Sequence, residues 1–255
     1  MVHLLLLCAV LLGFGAGACC FSFLNVVVWR LPRREPFFVG RSRCPACGRT
    51  LMPWELVPCV SFLALGGRCH GCGAPIPRRD FWVEALGGAL FLACAVRFGP
   101  GMARPALSFA VLFLLTAVAL LDWDTMEIDD RFHAAIFLCA LLAVKLFPEI
   151  SIPSRLIGAF CVSVPMLLLA LVIPGGFGGG DIKLMFALGL YLGWKQTLLT
   201  AFFAVLGGGG YAMHLLKTGK AGRRGQFAFG PFLCAGAGLA LLCGEAILGW
   251  YTLLW

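Results

Sequence analysis

The sequence predicts an all-α integral membrane protein of about eight transmembrane helices, with a small cytoplasmic zinc-binding module inserted after the first helix. Three observations carry this reading. Of the 255 residues, 61% are hydrophobic and 13% charged, and the mean hydropathy is +0.95. Long apolar runs recur along the chain, as a hydrocarbon solvent requires. Two C-x-x-C pairs interrupt them within an arginine-rich segment.

The spans fall at about 2–28, 81–96, 105–121, 133–148, 155–174, 184–194, 197–216 and 231–254. The sixth is too short to cross alone unless its ends extend through Gly180 and Gln196. The first is read as a retained helix rather than a cleaved signal, because no Lys or Arg precedes Arg30. Three parts follow: the first transmembrane helix at 1–28, the module at 29–80, and a transmembrane domain at 81–255.

Charge sets the expected orientation. With the N-terminus outside, 29–80, 122–132, 175–183 and 217–230 share one side. That side carries fifteen basic residues, namely nine arginines between Arg30 and Arg79 with Arg131, Lys183, Lys217, Lys220, Arg223 and Arg224. The other side carries five: Arg97, Arg104, Lys145, Arg155 and Lys195. The basic side is therefore expected to be cytoplasmic, with both termini periplasmic. The arginine cluster is read as juxtamembrane topology, with the lipid bilayer and not nucleic acid as partner.

Cys44-Pro-Ala-Cys47 and Cys69-His-Gly-Cys72 are separated by 21 residues, close to the spacing of a four-thiolate zinc site. Four thiolates close a tetrahedral shell, so the metal would be structural. Gly48, Gly71 and Gly73 are expected to supply the turns. Disulfide pairing is the alternative, and a reducing compartment opposes it. The other cysteines, apart from Cys59, lie in apolar runs and read as packing residues.

Two acids stand at predicted helix ends. Asp122 ends the apolar run Ala106–Leu121, and Asp181 closes Gly178-Gly179-Gly180-Asp181. The charge-derived topology, which uses neither, places both at one membrane boundary. Acids at membrane depth point to function. Two adjoining carboxylates sharing a proton suit aspartic proteolysis. Gly178 and Gly180 would form an active-site loop that lets backbone approach closely, with positive φ available. Taken singly, Asp181 also reads as a helix N-cap, and Asp122 as one of a solvated group with Asp124, Glu127, Asp129 and Asp130. No H-e-x-x-H or G-x-S-x-G motif offers other hydrolytic chemistry. A transporter whose acids carry protons or cations is the alternative from another class.

The chain resembles the bacterial type IV prepilin peptidases, bifunctional leader peptidase/N-methyltransferases. The resemblance rests on Ser22-Phe23-Leu24-Asn25 with Arg30-Leu31-Pro32, both cysteine pairs, Trp54-Glu55-Leu56-Val57-Pro58, Val83-Glu84, Leu121-Asp122-Trp123-Asp124, Gly178-Gly179-Gly180-Asp181-Ile182-Lys183 and Phe229-Gly230-Pro231-Phe232. It implies cleavage of the basic leader of prepilin or pseudopilin precursors after a glycine, at the bacterial inner membrane. It also implies methylation of the new N-terminal residue, usually phenylalanine, by S-adenosylmethionine. Asp122 and Asp181 match the catalytic pair, and Asp124 and Asp130 match supporting acids. No residue is matched to the methyl donor, and a peptidase without methylation is the close variant. Phe21 departs from the family's usual glycine, and Asp129 from its proline.

Overall fold

The computed structural model describes residues 2–99, 101–173, 176–219 and 227–253. Gly175, Lys220, Arg223 and Arg224, invoked above, lie outside them. Among the described residues all regular secondary structure is helical, apart from two isolated bridges, 43 with 50 and 68 with 75. The chain divides into two compact units, Met1–Pro100 and Gly101–Trp255.

In the first unit, α1 (Val2–Arg30) is followed by a 3₁₀ turn at Leu31–Arg33, where Pro32 suits the first turn. A second 3₁₀ turn at Pro53–Leu56 and the short α2 (Val60–Ala64) lie within the module. The unit closes with α3 (Arg78–Phe98), which packs along α1. Phe21 is fully buried there, with its ring over the Cβ-free surface of Gly87. The departure from the family glycine thus fills a space that α3 leaves open. Leu4–Leu7, Val10, Leu11 and Leu12 of α1 stay exposed, as befits a lipid-facing surface.

The second unit begins with α4 (Ala103–Thr125) and α5 (Asp130–Leu146). Asp129 caps α5, its carboxylate accepting the Arg131 N–H at 2.9 Å. The residue that replaces the family proline therefore defines the helix start by another route. Next come α6 (Ile152–Cys161) and α7 (Ser163–Val172), separated at Val162. Pro165 cannot donate to the carbonyl one turn earlier, which accounts for the break. The unit ends with α8 (Gly179–Leu192), α9 (Trp194–Lys217) and α10 (Gly230–Leu253).

Each of the eight sequence-predicted spans falls mainly on helix among the described residues. Among the described residues six segments are long and apolar enough to cross a membrane: His3–Arg33, Arg78–Phe98, Ala103–Thr125, Ile152–Val172, Trp194–Lys217 and Gly230–Leu253. At 17 and 14 residues, α5 and α8 are shorter.

Two contacts fix the register of α8. Gly189 meets Gly158 of α6 backbone to backbone, and a Cβ at Gly189 would stand 2.1 Å from the Gly158 carbonyl oxygen. Small residues permit such approach between helices in lipid. The second contact is Arg155 of α6, buried at 2% exposure. Its guanidinium donates to the carbonyls of Ile150, Leu190, Tyr191, Ala143 and Phe147 at 2.9–3.2 Å. It thereby gathers the C-terminal ends of α5 and α8, where helix dipoles favour a cation. These two helices run parallel, and α4 runs antiparallel to α8 with Ser108 and Tyr191 hydroxyls 3.2 Å apart.

Replacing Arg155 with leucine removes five hydrogen bonds from an apolar interior, although the Ala143 and Phe147 carbonyls keep the main-chain donors of Phe147 and Ile150. We expect a loss of about 3 kcal/mol or more in detergent-solubilised stability. Arg155→Lys should recover only part of it, because an ammonium has three donors where the guanidinium has five. Chemical denaturation followed by circular dichroism measures both.

Candidate functional site

The ends of α4, α8 and α10 converge opposite the Arg155 end of the second unit. Asp122, in the last turn of α4, is 6% exposed. Its Oδ2 accepts the Gly230 N–H at 2.9 Å, so the side chain caps the start of α10. A Cβ at position 230 would stand 2.6 Å from the same oxygen, so glycine there lets the carboxylate keep this place. The carboxylate is thereby engaged by the N-terminus of a neighbouring helix, which favours negative charge. Capping and a chemical role are compatible, since Gly230 engages one oxygen.

Asp181 lies in the first turn of α8 and is 8% exposed. It is not the N-cap; that position belongs to Gly178. Among the described residues its buried Oδ1 has no hydrogen-bond partner. Asp122 and Asp181 stand at the ends of α4 and α8, near enough for the charge of one to act on the other, and buried Cys234 of α10 lies within the field of both. The acidic residues Asp124, Glu127 and Asp130 are exposed instead.

The glycine run works differently from the sequence expectation. Gly178 is extended, with φ −73°, and none of Gly176, Gly178, Gly179 and Gly180 has a positive φ. Their contribution is clearance. A Cβ on Gly180 would stand 3.1 Å from the Ile128 Cβ, and one on Gly178 would lie 3.5 Å from Asp181 Oδ2.

Around these acids lies a chain of aromatic rings. Phe177, just before Gly178, meets Phe229 edge to face at 5.6 Å. Phe229 meets Phe227, Phe227 meets Tyr211 and Phe232, and Tyr211 meets Trp123 at 5.7 Å. The other face of α8 borders a groove of about 650 Å³ between α5, α6, α7 and α8, apolar except for Asp130, His133, Ser163 and Lys183 at its edges.

In the first unit, the four predicted cysteine sulfurs lie within 4.8 Å of one another and could hold a metal ion. The two knuckles share one design. Gly48 N–H bonds the Cys44 carbonyl and Gly73 N–H the Cys69 carbonyl, both at 2.9 Å, with φ +71° at each glycine. Cys44 and Cys69 N–H groups close the turns on Arg49 and Ala74. Gly71 has no positive φ and instead makes room for Arg49, whose Nε would lie 2.8 Å from a Cβ there.

Backbone N–H groups of Cys72 and Gly71 hold the Cys69 thiol down to about 6. Cys72 feels the lowering pull of the Ala74 N–H, yet hydrogen sharing with Cys47 and burial push it up to about 11. One thiolate among thiols is what a cluster adopts before a cation deprotonates the rest. Glu55 supports the module from inside. Its carboxylate accepts the Met52 N–H at 2.7 Å and pairs with Arg49, which holds it below the usual carboxylate range. His70 packs against Trp54, outside the sulfur cluster. Glu84, unexplained in the sequence, accepts the Cys59 N–H at 2.7 Å, where Cys59 adopts φ +61°.

Sequence reasoning overlooked His133, Lys183 and Gly230 as parts of the site. The spacing of Asp130 with His133 and of Gly180 with Lys183, three apart on helical segments, is the signal that could have found the first two.

Two family descriptions match the chain. The bacterial peptidase A24 N-terminal domain matches residues 16–98, and the type IV leader peptidase family matches 109–213. The prepilin leader peptidase/N-methyltransferase of Bacillus subtilis is 36% identical over 232 residues, covering 90% of this chain and 92% of its own. That of Burkholderia pseudomallei is 33% identical over 267 residues, covering 92% and 84%. The protein of the same name from Pseudomonas aeruginosa is 32% identical over 273 residues, covering 96% and 92%. No solved structure matches significantly. With helices long enough to cross a membrane several times and similarity over nearly its whole length, this chain belongs to the type IV leader peptidase family.

Proposed function

We propose that this protein is a prepilin leader peptidase/N-methyltransferase, and that Asp122 and Asp181 are its proteolytic pair. The observation that carries the assignment is their pairing: two buried carboxylates from different helices, one feeling the charge of the other. Two such groups do not readily ionise together, so they share one proton. One carboxylate takes a proton from water as the oxygen attacks the scissile carbonyl, and the other protonates that carbonyl oxygen. Collapse of the tetrahedral intermediate breaks the C–N bond, and the amine leaves with a proton returned by the pair. Gly178 and Gly180 leave the backbone beside Asp181 open to an extended substrate.

The precursor would be an apolar helix with a basic leader, so its cut site lies at the membrane boundary. In our reading all eight helical segments enter the bilayer, α5 and α8 incompletely, and the carboxylates face the cytoplasm by the positive-inside rule. Residues 29–80 form the cytoplasmic module between helix 1–28 and the peptidase domain at 81–255.

Zinc is the metal we assign to Cys44, Cys47, Cys69 and Cys72. Sulfurs around a tetrahedral zinc stand roughly 3.8 Å apart, given Zn–S of about 2.3 Å. Cys44 and Cys72 sulfurs are 3.9 Å apart. The metal would staple a segment with little apolar core. S-adenosylmethionine would be the methyl donor for the new amine. The sequence has no G-x-G-x-x-G loop, so the donor would be held by another arrangement within the module.

Asn at either acid keeps the size and an acceptor oxygen but ends proton sharing. Asp122→Asn and Asp181→Asn should each slow precursor cleavage by about 100-fold or more, in the range of lost acid–base catalysis. Mass spectrometry of membranes carrying a candidate precursor should show the uncut form accumulating. Wild-type cleavage rates in either variant would remove that residue from the mechanism. In wild type, the same spectrum should show one methyl group on the new N-terminus.

The purified protein should contain one zinc per chain, measured by elemental mass spectrometry. Occupancy should fall as pH drops below about 6, where the metal-free Cys69 thiol takes up its proton and competes with the metal. The sign follows from the depressed thiol: its binding contribution is present above that range and lost below it. Cys69→Ser should leave the metal substoichiometric at neutral pH.

A further inference from the structure

His133 is buried in the first turn of α5, at 7% exposure. Its Nε2 stands 2.9 Å from the carbonyl oxygen of Gly180, the residue before Asp181. A carbonyl can only accept, so Nε2 carries the hydrogen and donates it. On the other side of the ring, Nδ1 faces Asp130 Oδ1 at 3.2 Å. Asp130 also receives the Lys183 ammonium at 2.8 and 3.0 Å. Two residues three apart on α5 therefore grip two residues three apart on α8.

The turn that is gripped has few holds of its own beyond the Gly178 backbone meeting the Asp181 carboxylate. After the N-cap Gly178 it begins with Gly179 and Gly180, and a glycine within a helix costs roughly 0.5–1 kcal/mol relative to alanine. None of them has a side chain to anchor the turn. An external donor on the Gly180 carbonyl and the close contact with Ile128 supply that anchor. Asp181 follows at once and points into the core with Leu184, Met185 and Leu188, away from the groove edge formed by Lys183. Its placement is the placement of this backbone.

We propose that His133 is a positioning residue for Asp181, acting through the Nε2–H bond to Gly180. The bland alternative is a buried histidine that merely fills space between α5 and α8. Filling space would be indifferent to which ring nitrogen is replaced; positioning would not. The proposal rests on the catalytic reading of Asp181.

The test uses the full-length protein in lipid and a synthetic precursor with a basic leader, a glycine at the cut, phenylalanine after it and an apolar helix. Glutamine places its amide near the Nε2 position of histidine, whereas asparagine reaches only the Nδ1 position. His133→Gln should keep kcat within about threefold of wild type. His133→Asn and His133→Leu should lower kcat by roughly tenfold or more with KM within about twofold, as a small misplacement of a reacting group does. If His133→Leu fails to fold, the glutamine and asparagine variants decide alone. Equal kcat values for those two, an unchanged kcat in His133→Leu, or a loss confined to KM would overturn the proposal. Wild type that fails to cut the precursor would instead remove the proteolytic reading. Wild-type cleavage, an inactive Asp181→Asn and indifferent His133 variants would remove the positioning claim alone.

Discussion

A single guanidinium decides where three helices of the second unit end. Arg155 is buried without a carboxylate and is answered by five main-chain carbonyls from the turn before α6 and the ends of α5 and α8. Ala143 and Phe147 carbonyls also accept the Phe147 and Ile150 N–H groups, so the guanidinium adds a second donor there and satisfies the remaining carbonyls of an apolar bundle. Once α5 and α8 are held in parallel at that end, their first turns come level at the other. There Asp130 and His133 meet Gly180 and Lys183, and Asp181 is set beside Asp122. The bond from Gly230 to Asp122 brings in α10. The placement of these acids at one end of the unit thus depends on packing at the opposite end.

The first unit solves a different problem. Its module has few aliphatic residues to bury, and its two knuckles close instead on paired backbone hydrogen bonds around four sulfurs. Glu55 ties the first knuckle to the 3₁₀ turn at Pro53–Leu56 through Met52 and Arg49. Backbone donors aimed at Cys69 prepare one thiolate in advance, so a cation meets a partly charged site. That is order imposed by polar contacts and ligands where a hydrophobic core is lacking.

Much of this was legible in the chain. Apolar runs located every helical span, the C-x-x-C spacing located the cysteine cluster, and charge asymmetry drew Asp122 and Asp181 to one boundary before any packing was known. The unreadable parts depend on partners distant in sequence. Arg155 looked like a loop charge at the start of a span, because five converging carbonyls leave no mark in composition. His133 was one of four scattered histidines until α8 was placed against α5. The glycine run suggested left-handed turns, whereas the close approach of Ile128 makes clearance its use. The break at Val162 could be seen only in retrospect from Pro165. Glu84 likewise gains its meaning only once Cys59, 25 residues earlier, folds back onto it.

The aromatic chain from Phe177 to Trp123 has its own consequence. Phe177 belongs to the segment before α8, Phe227 and Phe229 to the segment before α10, Tyr211 to α9 and Trp123 to α4. Lifting any one segment separates rings whose contacts are worth roughly 0.5–1.5 kcal/mol each. The strip therefore ties four separate segments together through side chains alone, with no main-chain bond needed between them.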